Sequence, residues 1–298
     1  MGLVLSPMTI SDGFKTLLAR IAPLQSEIDA AERHIATIRT RLAETYTLKG
    51  FVRAGSYSRD TFIRGSSDVD MFAVITRDDA RWGRGYMSSE TVLNNFRREL
   101  AARFPSTAVS RDVHAIVVSF SDCQVDVVPS FFAGMTSANY PMYSIPDGCG
   151  EWMRTSPAHH NAYIRQADES SRSKLRGTAQ LLKFWRECRQ SPVPISSFHI
   201  EMVLASEGTC RGIKSYAECL TEVLQGLAQR DCRGLQDPLG ISGLVPAVKS
   251  TARREPALDS VKYSRDHAKV ALVAEKREDF LEAHRQWDIV FRGCFPKS

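Results

Sequence analysis

The sequence predicts an α+β protein in two lobes: a long N-terminal helix with a mixed-sheet core over residues 1–150, then a helical domain over 151–298. Three observations carry this. Apolar residues recur at spacings of three, four and seven across positions 9–48. Short apolar runs bounded by turn residues occupy the stretch from about 50 to 130. Helical periodicity takes over from about 158.

Within 9–48, Ile21, Leu24, Ile28, Ile35, Ile38 and Leu42 form a stripe suited to lie against a sheet, on one long helix interrupted, if anywhere, near Pro23. Met71–Ile75 is short and wholly apolar, as a buried strand is. Residues 90–103 read as a helix through Val92, Leu93, Phe96 and Leu100. Ala115–Phe120 and Gln124–Val128 flank Ser121-Asp122-Cys123 and predict an antiparallel hairpin. Residues 134–157 mix Gly, Pro, Ser and Asn without periodicity and predict an irregular crossover. Beyond it Leu175, Thr178, Leu181, Leu182 and Trp185 share one helical face. Further helices are expected over 197–206, 215–230 and 263–288, with a turn at Asp237-Pro238-Leu239-Gly240. No internal repeat, heptad run or low-complexity segment is present.

A chain of 298 residues, 43% of them hydrophobic, can bury a substantial core in one large domain or two medium ones. No apolar run reaches the roughly 18 residues of a membrane span, and no secretory signal is visible. The seven cysteines (123, 149, 188, 210, 219, 232 and 294) are scattered, odd in number and never spaced C-x-x-C. Reduced thiols in a cytoplasmic protein follow, with no membrane partner. MGLVLS matches a loose myristoylation pattern and is read as a chance match. A net charge of +5 suits anionic ligands but is too mild to point to nucleic acid.

The chemistry-bearing stretch is GSYSRDTFIRGSSDVD, residues 55–70, with QVDVVPSFF following from Gln124. Side chains alternate along a strand, so Asp68 and Asp70 project to the same side. Two carboxylates so close repel unless a cation sits between them, and magnesium takes hard oxygen ligands together with substrate phosphates. Asp126 lies between Val125 and Val127 on an apolar strand, where a carboxylate must bind metal or pair with an arginine. Gly55-Ser56 falls in a turn before the Asp68 strand. There glycine admits close approach of a phosphate, and N–H and hydroxyl groups donate to its oxygens; Ser66 and Ser67 lie near the same loop. An isolated Asp-x-Asp is common. The Gly-Ser turn, the eleven-residue spacer, Ser-Asp-Val-Asp and the apolar strand behind it make a more specific set.

That pattern resembles the DNA-polymerase-β-type nucleotidyltransferases, and more narrowly the bacterial CD-NTases, relatives of cyclic GMP-AMP synthase and oligoadenylate synthase. KLRGTAQLLKFWRECRQSPVPISSFHIEMVL resembles the helical half of that family, and DPLG resembles a family turn, so the similarity covers most of residues 50–240. It implies a two-lobed nucleotidyltransferase with Asp68, Asp70 and Asp126 as catalytic metal ligands for two Mg2+ ions, which Mn2+ can replace. Gly55, Ser56, Lys183, Ser197 and Phe198 would bind nucleotide. Lys183 matches the position of a triphosphate-binding lysine, Ser197 of a triphosphate ligand, and Phe198 of a residue that stacks on the donor base.

Read from spacing alone, these residues keep plainer alternatives. Arg172, Arg176, Ala179 and Lys183, extended by Arg186, form a stripe that also suits a solvated helix face. The serines at 196–197 suit a helix N-cap, and a helix N-terminus also favours phosphate. Phe198 suits a core as well as a base, and His199 suits packing or orientation. His159 and His160 are structural or acceptor-lining, since no cysteine partner makes a zinc site there.

The implied activity is synthesis of a cyclic di- or trinucleotide second messenger from nucleoside triphosphates, ATP by default, with release of pyrophosphate, in bacterial anti-phage signalling. The family also implies a regulatory protein partner from the same defence system. The zinc-bearing insertion of the animal synthase has no counterpart, so DNA activation is not expected. Two other readings compete: a transferase that modifies tRNA, a protein or a small molecule, and a catalytically dead signalling partner. The second conflicts with the intact aspartates. The first lacks an extended basic track interleaved with aromatics.

Overall fold

The computed structural model describes residues 8–65 and 68–297. Its chain divides into two compact units. One holds Pro23–Tyr163 with Leu239–Gly243; the other holds the described residues up to Ala22, Ile164–Pro238 and those from Leu244 onward.

The first helices show why the division falls there. α1 (Ile10–Ile21) stops at Ala22, whose ψ of 136° is extended, as a residue before proline tends to be. α2 (Gln25–Thr45) restarts beyond Pro23, with Glu27 accepting the Leu24 N–H at 2.7 Å. The two helices then serve different units. α1 packs on helices of the helical unit, whereas α2 lies on the sheet. The expected assignment of the whole N-terminal helix to the sheet domain therefore differs from the contacts. The apolar stripe was visible, but its two halves face separate cores.

The sheet unit contains β1 (Leu48–Arg53), β2 (Asp68–Ile75), a small β3–β4 ribbon (Arg81–Trp82, Gly85–Tyr86), α3 (Ser89–Arg103), β5 (Ala108–Arg111), β6 (Ile116–Ser119), β7 (Gln124–Met135), β8 (Pro141–Pro146), β9 (Trp152–Thr155) and the first half of α4 (Pro157–Ser170). The main sheet runs β1-β2-β7-β6-β5, with β8 pairing the outer half of β7 and then β9. Among the described residues only β2 and β7 pair in parallel; the other ladders are antiparallel. Odd positions of β2 and β7, among them Val69, Met71, Val125 and Val127, pack with Ile35, Ile38 and Leu42 of α2 and Phe96 and Leu100 of α3. Burial of each such side chain contributes roughly 1.5–3 kcal/mol. Phe72, Val74 and Val128 face the other side with Tyr143 and Ile145. The even-numbered Asp68, Asp70 and Asp126 share that second face.

The expected β6–β7 hairpin is present, with Ser119 opposite Gln124. The expected irregular crossover over 134–157 is not: it contains β8 and β9, paired antiparallel from Tyr143↔Thr155 to Pro146↔Trp152. Proline at both ends of β8 hid it, although proline is tolerated at strand ends.

The helical unit holds α5 (Lys174–Glu187), α6 (Ser197–Glu207), α7 (Tyr216–Gln229), a two-residue ribbon of β10 (Leu235–Gln236) and β11 (Leu244–Val245), α8 (Arg254–Lys276) and α9 (Phe280–Val290). Leu175, Thr178, Leu181, Leu182 and Trp185 are all buried, as their shared face predicts. The single helix expected over 263–288 is two. Glu278 adopts φ +61°, and Asp279 caps α9 by accepting the Glu282 N–H at 3.1 Å. No Gly or Pro marks that break, so periodicity ran through it. Among the described residues no helix is long and apolar enough to cross a membrane.

Candidate active site

The sheet brings the predicted carboxylates together by register. β2 and β7 run parallel with Asp68 opposite Gln124 and Asp70 directly opposite Asp126, so the aligned side chains leave the same face. Asp126 is half-buried, and its carboxyl is pushed up to about 7, first by burial and then by the charges of Asp70 and Asp68; a hydrogen bond from Gln124 opposes the rise. Gln124 Nε2 donates to Asp126 Oδ1 at 3.0 Å. Negative charge is thus concentrated where a low-dielectric wall strengthens it, and a divalent cation with oxygen preference fits this donor set.

Gly55 sits against one of these carboxylates, that of Asp70. Its φ of +58° is in the left-handed region, and a Cβ there would overlap the Asp70 carboxylate. Glycine is required twice over, by conformation and by space. Ser56 opens a 3-10 turn, Ser56–Arg59, directly after it. The turn is braced internally: Ser58 Oγ donates to Gly55 O at 2.9 Å, and Asn161 Nδ2 of α4 donates to Ser58 Oγ at 3.0 Å. Arg59 Nη1 donates in turn to Asn161 Oδ1 at 3.1 Å. Ser66 and Ser67, also named from the sequence, lie outside the described residues, as does MGLVLS.

The remaining predicted residues gather in the helical unit. Ser196 is the N-cap of α6, accepting the His199 N–H at 3.4 Å. Ser197 Oγ accepts from Arg186 Nη1 at 2.8 Å, and the same guanidinium nitrogen reaches Ile195 O at 2.8 Å. Phe198 is half-buried beside them. Lys183 is not on a solvated face: its side chain is 5% exposed and ion-paired to the fully buried Glu201 of α6. Nor does the basic stripe begin at Arg172, which precedes α5 with φ +55°. His199 is buried, with Nδ1 3.2 Å from Val245 O, and burial lowers its pKa to about 4, so it stays neutral and structural. His159 stacks on Tyr140 at 4.8 Å.

Three participants escaped sequence reading. Gln124 and Asn161 carry no local signal, because only strand register and the α4 contact assign them. Glu201 did leave a signal: a lone acid in the apolar run His199–Ala205 demands a buried partner.

A mixed sheet with Asp-x-Asp on one strand, a third aspartate in register on its parallel neighbour and a Gly-Ser turn against them defines a protein of the nucleotidyltransferase fold class. Residues 8–168 match the family model described as Second Messenger Oligonucleotide or Dinucleotide Synthetase domain, and the chain belongs to that family, the CD-NTases that the sequence resembled. It is 24% identical over 186 residues to a probable cyclic nucleotide synthase of Bacillus cereus (strain VD146), covering 53% of this chain and 56% of that one. It is 26% identical over 166 residues to the cyclic AMP-AMP-AMP synthase of Escherichia coli (strain MS 115-1), covering 54% and 50%. The matched stretch thus spans about half the length of these curated relatives. The fold is similar to that of CdnC from E. coli MS115-1, solved in a complex with HORMA-deltaN, with a TM-score of 0.71, 18% identity and coverage of 97% and 98%.

Proposed function

We propose that this protein is a metal-assisted nucleotidyltransferase that joins nucleoside triphosphates into a cyclic di- or trinucleotide second messenger. The observation that carries the reading is the alignment of Asp70 with Asp126 across parallel strands, against the Gly55 turn. Asp68, Asp70 and Asp126 hold divalent cations, two Mg2+ ions by the chemistry of the donor set. When bound, such ions activate an attacking hydroxyl and stabilise the leaving pyrophosphate. Gly55 and Ser56 offer backbone N–H groups and a hydroxyl to phosphate oxygens, at a turn held in shape by Ser58 and Asn161. Gln124 fixes one oxygen of Asp126 and leaves the other for ligation. Lys183, Ser197 and Phe198 contribute contacts to the nucleotide, the first by exchanging Glu201 for a phosphate.

ATP is the proposed donor, supported by the similarity to a cyclic AMP-AMP-AMP synthase. The HORMA complex of CdnC supports a regulatory protein partner, and a cytoplasmic anti-phage role follows from the same reading. The test is incubation of purified protein with labelled nucleoside triphosphates and Mg2+, followed by phosphatase and mass spectrometry. Phosphatase-resistant cyclic product is expected. Label found only in linear, phosphatase-sensitive species, or attached to added tRNA or protein, would overturn cyclisation in favour of another acceptor.

A further inference from the structure

On the opposite face of the sheet from the carboxylates, α2 and the β6–β7 turn bring together three side chains with no part in the chemistry above. His34 projects from α2; Asp122 and Cys123 belong to the turn that leads into β7. One ligand-capable atom from each, a ring nitrogen, a carboxylate oxygen and a thiol sulfur, lie within 4.8 Å of one another. His34 Nε2 is 2.8 Å from Asp122 Oδ1. The imidazole is held by stacking on Phe120, with ring centroids 3.7 Å apart and planes 13° off parallel. Cys123 is half-buried against the apolar core and unoxidised.

We propose that His34, Asp122 and Cys123 form a peripheral site for a borderline-soft divalent cation, Zn2+ first. The donor set argues against magnesium, which takes oxygen ligands, and for a metal that accepts imidazole and thiolate together. The spacing suits it. Ligands about 2.0–2.3 Å from a tetrahedral ion sit roughly 3.3–3.7 Å from each other. Small side-chain movements inside the observed span would accommodate that geometry. Three protein ligands leave one position for water. The half-exposed side of the cluster, where the Asp122 side chain is 48% accessible, provides the entry path. On binding, the thiol of Cys123 becomes a thiolate and its proton leaves to solvent. The stacking on Phe120 and the hydrogen bond between His34 and Asp122 already orient two of the three ligands, so the cost of ordering the site is small. The bound ion would tie the β6–β7 turn to α2, which belongs to the same core but lies about 90 residues earlier in sequence, as His34 and Asp122 are 88 apart.

The full chain, stripped with a chelator under reducing conditions, should be titrated with Co2+ as the spectroscopic stand-in. One equivalent giving a thiolate-to-cobalt charge-transfer band in the near-ultraviolet is expected, removed again by Zn2+. Cys123→Ser should abolish the band, and His34→Gln should weaken Co2+ at least tenfold. Cys149→Ser, at an exposed cysteine elsewhere, should leave it intact. Zn2+ should raise the Tm of the wild type and not of Cys123→Ser. No thiolate band at saturating Co2+ would overturn the site, as would a band that survives Cys123→Ser or an affinity undiminished in His34→Gln. Every variant here leaves Asp68, Asp70 and Asp126 untouched, so nucleotide chemistry and this site fail independently.

Discussion

In the sheet unit, Asp70 and Asp126 stand side by side with Asp68 near enough to add its charge, whereas in the helical unit Lys183 and Glu201 bury opposite charges against each other. Both regions bring ionisable groups close together, partly buried in the first and fully buried in the second. The first leaves Asp126 with a carboxyl near pKa 7, because like charges and burial act together. The second neutralises its charge within the fold. Like charges gathered on a rigid ladder mark a place for a cationic ligand. A closed buried pair marks a place where the fold meets its own needs, and any ligand there must displace a partner.

The strongest attack on this comparison is to neutralise the sheet carboxylates. Asp70→Asn or Asp126→Asn should reduce nucleotide incorporation by about a thousandfold or more while circular dichroism and Tm show an intact fold. A variant that keeps measurable activity would show that the gathered charge serves something else.

Next is the buried pair. Lys183→Met alone should cost about 3–5 kcal/mol in urea unfolding, because it removes the cation paired with the fully buried Glu201. Lys183→Met combined with Glu201→Leu should regain most of that loss. If the double variant is stable yet binds ATP tenfold more weakly, Lys183 has a ligand role beyond its pairing. If ATP affinity is unchanged, the pair is purely structural.

Gly55→Ala tests the turn between glycine and carboxylate. It should lower activity on the order of a hundredfold and destabilise the protein by about 1–3 kcal/mol, since φ is positive and the added Cβ meets Asp70. Differential scanning calorimetry and the incorporation assay separate the two effects.

The pH dependence follows from Asp126. Its folded pKa of about 7 lies above the ordinary carboxylate value of 3.8, so the folded state binds the proton more tightly. Metal-free protein should therefore lose stability as pH rises from about 4 to about 7, by on the order of 3–4 kcal/mol. Mg2+ should suppress the loss, and Asp126→Asn should flatten it, as Tm against pH with and without the ion will show. The smallest effect is expected of Asn161→Ala, which unbraces Ser58 and the Gly55 turn. The KM for ATP should rise several-fold with kcat nearly unchanged.

Much of this could be read before any coordinates. The β2 and β7 strands announced themselves as short apolar runs, and α3 and α5 through an apolar period of 3.6, because these patterns are local properties of sequence. The break at Pro23 was visible because proline acts on its immediate neighbour. The α8–α9 break at Glu278 and the strands β8 and β9 were not. The break turns on Glu278 at positive φ, which no Gly or Pro signals, and the strands are fixed by their ladders to each other and to β7.

The same boundary runs through the candidate site. Residue types and spacing alone put Asp68 and Asp70 on one face of a strand, made Gly55 a tight turn and flagged Asp126 as a carboxylate in need of a counter-charge. Those inferences depend only on bond geometry and on the cost of burying charge. That Asp126 aligns with Asp70 rather than one residue away, that Gln124 and Asn161 support the centre, and that Lys183 rests on Glu201 were settled by strand register and helix packing. Such choices are long-range: a shift of one residue in the β2–β7 ladder would send Asp126 to the opposite face while leaving every local sequence signal unchanged.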